Sequence, residues 1–365
     1  MSKKSNILLI AYYFSPDKRV GALRATYWFQ NLPSQMNCNV EVLTANPDTK
    51  TDQVHYVPTN QKPKISRFIK DEGLLWKENL KSFLNEERGF IPDTVIITGG
   101  PFMHFGITSW LKEKFDCNVI LDYRDPFANN PGFQNKRPII AVKKFFEKRF
   151  NKQADALITV NRYCSELIED FDKKRNAIIQ NGFDEKVEID LKKPDLSDKL
   201  NLIYTGKFYF DPIHLCKAVH NHSSVLNYYG ADGAQLSNCD KEVKDYGLVT
   251  YKESIRAIAK SDVGVVQTYG EDFQSTTKLF DYIRCKKPIL IISDKHMNRG
   301  SIHDELKGYP NVFWSENNQL EIEKTLVKIK EHRYTEPDEE FVNKYSRGRQ
   351  MEKLVELIKE LSANG

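Results

Sequence analysis

Residues 268–292 read T-Y-G-E-D-F-Q-S-T-T-K-L-F-D-Y-I-R-C-K-K-P-I-L-I-I, and this stretch limits the fold more narrowly than any other part of the chain. The apolar run 263–266 ends in a polar loop. Ser275, Thr276 and Thr277 then offer N-caps for a short helix whose apolar positions are Leu279, Phe280 and Ile283. Pro288 cannot continue that helix, and the run 289–292, Ile-Leu-Ile-Ile, reads as a buried parallel strand. Strand, loop, helix and strand in this order put the loop amides and the helix N-terminus at the carboxyl edge of a parallel sheet, where the helix dipole favours an anion such as phosphate. Lys278 stands in the first helical turn, where a cation is badly placed for the helix itself, which suggests a negative partner. Asp281 follows three residues on, so the plainer alternative is an i,i+3 pair contributing ~0.2–0.5 kcal/mol.

Taken whole, S-T-T-K-L-F-D-Y-I-R-C-K-K-P-I-L resembles the nucleotide-sugar signature of the retaining glycosyltransferases of family 4. That resemblance implies an α/β chain of the GT-B fold, two Rossmann-like doubly wound parallel-sheet domains facing across a cleft. It also implies that Ser275, Thr276 and Thr277 hold the donor's diphosphate while Asp281 holds the ribose hydroxyls. The family's two glutamates eight residues apart are reduced here, with Asp281 in the second position and Phe273 in the first. Glu271 and Asp272 lie nearby but out of register as candidates for the donor sugar.

The 365 residues suit roughly two domains, and 40% hydrophobic residues can supply two cores. A net charge of +4 is too small and too dispersed to argue for nucleic acid. Cys38, Cys117, Cys164, Cys216, Cys239 and Cys285 show neither C-x-x-C nor a zinc-like spacing, so they read as reduced and the protein as cytoplasmic. The amino-terminal apolar run is shorter than a signal-peptide core, and no run approaches the ~20 apolar residues of a membrane span.

Taken in order, the chain opens with a strand at 7–11, a loop, and Gly21-Ala22-Leu23-Arg24 leading into a helix, followed by a strand at 40–44. Gly21 reads either as a turn glycine or as a site of close ligand approach. The opening Y-Y-F-S-P-D-K-R-V-G-A-L-R is similar to the family's, which favours the second reading. A basic, aromatic-dotted helical region spans 58–89, with Ile65, Phe68, Ile69, Trp76 and Leu80 among its apolar positions. Strands at 94–98 and 119–122 end in the loops that carry His104, and Arg124 with Asp125. Because parallel strands joined by right-handed crossovers present their carboxyl ends on one side, these three residues are expected around one crevice as the catalytic group. Residues 138–150, P-I-I-A-V-K-K-F-F-E-K-R-F, form a helix suited either to an anionic membrane surface or to packing its phenylalanines on the sheet. Strands at 154–160 and 177–184 close a first domain, 1–185. The segment 186–199 is charged and contains Pro194, so it reads as a linker. A second domain, 200–338, starts with the strand 202–205 and Gly206-Lys207. A helix at 339–365 is expected to cross back onto the first domain, as the resemblance implies.

A micromolar nucleotide-sugar site needs about 8 kcal/mol, against ~1.5–3 kcal/mol from one charge-assisted hydrogen bond, so several groups must converge. Gly206, Lys207, the Ser275–Thr277 amides, Lys278 and Asp281 are the donor-site candidates. By the resemblance the chemistry is sugar transfer with retention from a UDP- or GDP-sugar to a glycan or lipid-linked acceptor in surface-polysaccharide synthesis. It proceeds without metal or other cofactor, in the cytoplasm or peripherally on the inner membrane face. Two alternatives stand beside it: a GT-B sugar-nucleotide epimerase or hydrolase, and a catalytically inactive GT-B scaffold. Neither first strand is followed by G-x-G-x-x-G, which argues against a nicotinamide enzyme.

Overall fold

Runs such as Thr-Val-Ile-Ile-Thr (94–98) and Ile-Leu-Ile-Ile-Ser (289–293) are buried at every position, because a parallel strand is covered by helices on both faces. The computed structural model describes residues 4–17, 19–49, 51–59, 71–86, 89–133 and 136–363. Residues 60–70 of the expected helical region, with Ile65, Phe68 and Ile69, lie outside the described residues.

The chain divides into two units, residues 1–180 with 350–365 and residues 181–349. In the first, strands β1 (Ser5–Ala11), β2 (Cys38–Thr44), β3 (Val54–Tyr56), β4 (Thr94–Thr98), β5 (Asn118–Tyr123), β6 (Ala156–Thr159) and β7 (Arg175–Ile178) form one parallel sheet, in the order β3-β2-β1-β4-β5-β6-β7. Its helices are α1 (Val20–Met36), α2 (Gly73–Asn85), α3 (Thr108–Phe115), α4 (Arg137–Gln153) and α5 (Arg162–Ser165). The second unit repeats the plan. Strands β8 (Asn201–Thr205), β9 (Val225–Tyr229), β10 (Val243–Asp245), β11 (Val263–Thr268), β12 (Ile289–Ser293) and β13 (Val312–Glu316) run parallel in the order β10-β9-β8-β11-β12-β13. Its helices are α6 (Ile213–Asn221), α7 (Tyr251–Lys260), α8 (Thr277–Arg284), α9 (Ser301–Leu306), α10 (Gln319–Glu331) and α11 (Glu339–Asn343), before the terminal helix α12 (Arg347–Ser362). The strand order therefore reverses between β1 and β4 in one sheet and between β8 and β11 in the other. Outside the carboxyl ends at such a point a doubly wound sheet opens a crevice.

The short edge strands β3 and β10, and β13, carry no sequence pattern that marks them. The tail is two helices rather than one. Phe341 and Tyr345 pack into the core of the second unit, and Ser346 bridges to Phe183 there, whereas Met351, Leu354, Leu357, Ile358 and Leu361 of α12 belong to the core of the first. The segment 186–199 is not a free linker. The Arg284 guanidinium donates to the carbonyls of Asp184, Glu185 and Val187, Lys287 Nζ donates to that of Lys192 at 2.6 Å, and Leu196 is buried in the second core. The cysteines are not all reduced: Cys216 of α6 and Cys239 form a disulfide across 23 residues, a pairing that scattered spacing cannot reveal. Among the described residues no helix is long and apolar enough to cross a membrane.

Candidate functional site

The switch point of the second sheet gathers most of the donor-site candidates. Helix α8 sits close against the sheet because Gly264 of β11 leaves room for Tyr282, whose ring would lie 2.5 Å from any Cβ placed there. The Tyr282 hydroxyl donates to the Val265 carbonyl at 3.1 Å. This seating turns Lys278 inward. Its Nζ lies 3.9 Å from the centroid of the Tyr204 ring, beside Gly206, whose φ of +86° only glycine adopts readily. That ammonium is buried with no hydrogen-bond partner, and burial pulls its pKa down to about 7 against the pull of Asp232. The i,i+3 pair with Asp281 is not formed. Asp281 is instead reached by the Tyr251 hydroxyl at 2.6 Å, and burial raises its pKa to about 6, opposed by that hydroxyl, Arg347 and Arg284.

The loop 206–210 is held from behind. Gln267 Oε1 accepts from the Tyr209 amide at 3.0 Å and Asp232 Oδ2 accepts from the Phe208 amide at 3.0 Å, which leaves Gly206 and Lys207 exposed at the strand end. Thr276, the N-cap of α8, makes no side-chain cap, so the amides of Thr277 and Lys278 have no intrahelical partner, while that of Leu279 donates to the Thr276 carbonyl at 3.2 Å. Ser275 differs from the expectation for its hydroxyl, which is engaged with Glu305 at 2.8 and 3.1 Å. Only its backbone is left for an anion. Glu271 and Asp272 are each answered by a cation from the loop after β12, Lys295 at 2.6 Å and Arg299 at 2.6 Å. At the neighbouring strand ends, Tyr229 and the half-exposed Tyr246 stack at 4.6 Å with an interplanar angle of 4°.

The three catalytic candidates of the first unit do not come together. His104 is fully buried in the turn 103–107. Its Nε2 contacts the Thr98 carbonyl at 3.1 Å and its ring meets Trp76 edge-on at 5.2 Å. Burial drives its pKa down to about 3, so it is neutral at any working pH and out of reach of an external group. Arg124 commits its guanidinium to backbone: Nε and Nη2 donate to Gly99 at 3.1 and 2.7 Å, and Nη1 donates to Gly21 at 2.7 Å. It ties the first turn of α1 to the loop after β4. Gly21 follows from the same packing, since a Cβ there would stand 3.0 Å from Arg124 Nη1. Asp125 is exposed just past the carboxyl end of β5. Behind this edge lies a buried ion pair that the sequence reading missed, Arg24 Nη2 to Asp122 Oδ1 at 2.9 Å. Gln267 and Tyr251 were missed as well. The one available signal was Gln267 itself, a polar residue near the end of an otherwise apolar strand. Among the described residues no group of three or more His, Cys, Asp or Glu side chains could hold a metal ion.

No protein-family model matches the chain, and no curated protein is similar to it in sequence. Solved structures do match. Sucrose-phosphate synthase from Thermosynechococcus elongatus aligns with a TM-score of 0.71 at 12% identity, over 99% of this chain and 100% of that one. Anabaena HepE in complex with UDP-glucose gives 0.65 at 10%, over 97% and 99%. The pneumococcal O-GlcNAc transferase GtfA in complex with UDP and GlcNAc gives 0.63 at 11%, over 98% and 99%. The fold of this chain is the GT-B fold, built from two Rossmann-like parallel-sheet units.

Proposed function

We propose that this protein is a glycosyltransferase that takes a sugar from a nucleotide-sugar donor, with the donor's diphosphate seated at the N-terminus of α8 beside Lys278. The observation that carries this reading is the buried, unpartnered Lys278 ammonium, aimed at a positive-φ glycine and next to uncapped helix amides. A buried cation without a partner costs folding free energy, and a diphosphate would complete it. Structural neighbours that hold UDP-glucose, or UDP with GlcNAc, support a UDP-sugar. Asp281 is assigned to the ribose hydroxyls and the Tyr229–Tyr246 pair to the nucleobase. Lys278 and the Thr276–Thr277 amides would stabilise the charge that grows on the leaving phosphate. With retention, that phosphate oxygen also accepts the proton of the incoming hydroxyl. On this reading these groups answer the charge of the leaving phosphate, and no metal is called for.

Thermal shift and calorimetry with UDP-, GDP- and ADP-sugars test the reading. One base class should raise the melting temperature, and no response to any of them would overturn it. Mass spectrometry with and without a lipid-linked or glycan acceptor then separates transfer from hydrolysis or epimerisation. Asp281→Asn keeps an oxygen for Tyr251 but loses the charge, so affinity for the nucleoside diphosphate should fall by about ten-fold. Pyrophosphate binding should change far less. Equal losses for both would move Asp281 away from the ribose.

A glycan or lipid-linked acceptor, as in capsule, O-antigen or exopolysaccharide assembly, fits a chain that works at a membrane surface, and α4 supports that placement. Helix α4 turns Lys143 and Glu147 inward while Val142 and Phe145 are 44% and 62% exposed, with Lys148, Arg149 and Lys152 exposed beside them. Glu169 offsets two of the cations, Lys144 at 2.9 Å and Lys148 at 3.3 Å. Each remaining cation contributes about 1 kcal/mol at an anionic surface. Flotation with phosphatidylglycerol vesicles should carry the protein, and Phe145→Glu should release it. Equal flotation of both forms would exclude α4 as the contact.

A further inference from the structure

Among the described residues, two buried side-chain polar atoms of the second unit have no hydrogen-bond partner, and both are donors: Lys278 Nζ and Gln267 Nε2. They share one aromatic side chain. Lys278 Nζ stands over the Tyr204 ring, and the Tyr204 hydroxyl lies 3.4 Å from Gln267 Oε1. The orientation of the Gln267 amide is settled by the Tyr209 N–H, which donates to Oε1. Flipping the amide would set an NH2 against that N–H. Holding the 206–210 loop needs only an acceptor oxygen, which glutamate would also provide. A carboxylate at 267, however, would set a negative charge against the Tyr204 hydroxyl, across the same ring from Lys278, and offset the attraction of the ammonium for an anion. Glutamine keeps the acceptor, adds a donor and leaves the ammonium without a hydrogen-bonded counter-ion, with Asp232 alone pulling on it from the protein. Two unmatched buried donors at a sheet switch point are groups that an anion would complete.

We propose that Gln267 is a second, neutral donor of the anion subsite: its carbonyl fixes the 206–210 loop, and its NH2 joins Lys278 on the phosphate oxygens of a nucleoside diphosphate. This rests on the donor-site reading above. The test is calorimetry of wild type and Gln267→Glu with UDP, GDP and pyrophosphate, beside the apo melting temperature. Gln267→Glu should weaken UDP or GDP and pyrophosphate alike by at least about ten-fold, while its apo melting temperature holds or rises because the introduced carboxylate pairs with Lys278. The deficit should shrink at low pH as the new carboxyl takes a proton. Binding within two-fold of wild type would make Gln267 a loop anchor only, overturning this proposal and leaving the donor site standing. If wild type binds none of the probes, the donor-site reading itself fails. Should Gln267→Glu not fold, the side-chain NH2 resonances of Gln267 in 15N-labelled wild type decide the matter. A shift on saturation with pyrophosphate supports the contact, and unchanged resonances at saturation overturn it.

Discussion

Replacing Lys278 by methionine should all but abolish nucleotide-sugar binding while making the unliganded protein more stable. Methionine fills nearly the same space, so the packing against Tyr204 is kept and only the charge is removed. The wild-type ammonium is buried without a partner and its pKa is lowered to about 7. Between about pH 7 and the unfolded value near 10.5 the unfolded chain therefore binds more protons than the folded one, and wild-type stability rises with pH through that window. Methionine removes the penalty. The gain of Lys278→Met should be at least about 1 kcal/mol at neutral pH, or ~2–4 °C, and should fade towards pH 10. Affinity for a nucleotide-sugar should fall by about a hundred-fold, since one charge-assisted hydrogen bond in a dry site contributes ~1.5–3 kcal/mol. Binding also couples to pH. On the proposed reading a diphosphate would favour the charged lysine, so binding would take up a proton and weaken as pH rises above about 7, whereas Asp281, with its pKa near 6, would accept from both ribose hydroxyls only when ionised. Affinity should therefore peak between about pH 6 and 7, and Lys278→Met should lose the alkaline limb alone. A variant that melts earlier yet binds normally would show Lys278 to be a structural cation.

What could be read from the sequence follows the range of the interactions involved. The unit β11–loop–α8–β12 was legible because its signals are local: an apolar run, N-capping side chains, Pro288 as a stop and Lys278 against the dipole. Its chemistry was only half legible, because the surroundings of Lys278 are completed by Tyr204 of β8 and Gly206 of the loop after it, about seventy residues earlier in the chain. His104 was misplaced for the same reason. Spacing puts it after a strand end, but the turn folds it under Trp76, a residue 28 positions earlier. Arg124 reaches Gly21 across 103 positions, so its role in tying the start of α1 to the loop after β4 has no local trace. The charge of residues 186–199 suggested a solvated linker, yet the donors that hold the carbonyls of Asp184, Glu185, Val187 and Lys192 lie about a hundred residues on, at Arg284 and Lys287. The Cys216–Cys239 bridge joins a helix to a turn and leaves no periodic mark.

The largest stability loss in the first unit should come from Arg24→Met. Arg24 is 5% exposed and Asp122 not at all. Besides the contact to Asp122, Arg24 Nη1 donates to the Ile179 carbonyl at 2.5 Å and its guanidinium lies 4.5 Å from the centre of the Trp28 ring. The pair thus joins α1, β5 and the end of the strand region after β7. Asp122 already sits above the ordinary carboxylate range, because burial outweighs the pull of Arg24 and Arg124, and its Oδ2 has no hydrogen-bond partner. Removing one member of such a pair leaves a buried charge uncompensated at a cost of ~3–5 kcal/mol, or roughly 10 °C in a domain of this size. The sign with pH distinguishes this from lost packing. A carboxyl whose folded pKa exceeds its unfolded one stabilises the fold in acid and loses that contribution as pH rises through the folded value. Losing Arg24 moves the folded value further up, so the deficit of Arg24→Met should widen between pH 5 and pH 8. Asp122→Asn in the Arg24→Met background should then recover part of the loss at pH 8, because an amide needs no counter-ion there, and the two changes should be far from additive. Melting curves of the four proteins at both pH values measure this. A deficit that is the same at pH 5 and pH 8, together with additive single changes, would mean that Arg24 holds the fold through the Ile179 carbonyl and Trp28 rather than through its charge on Asp122.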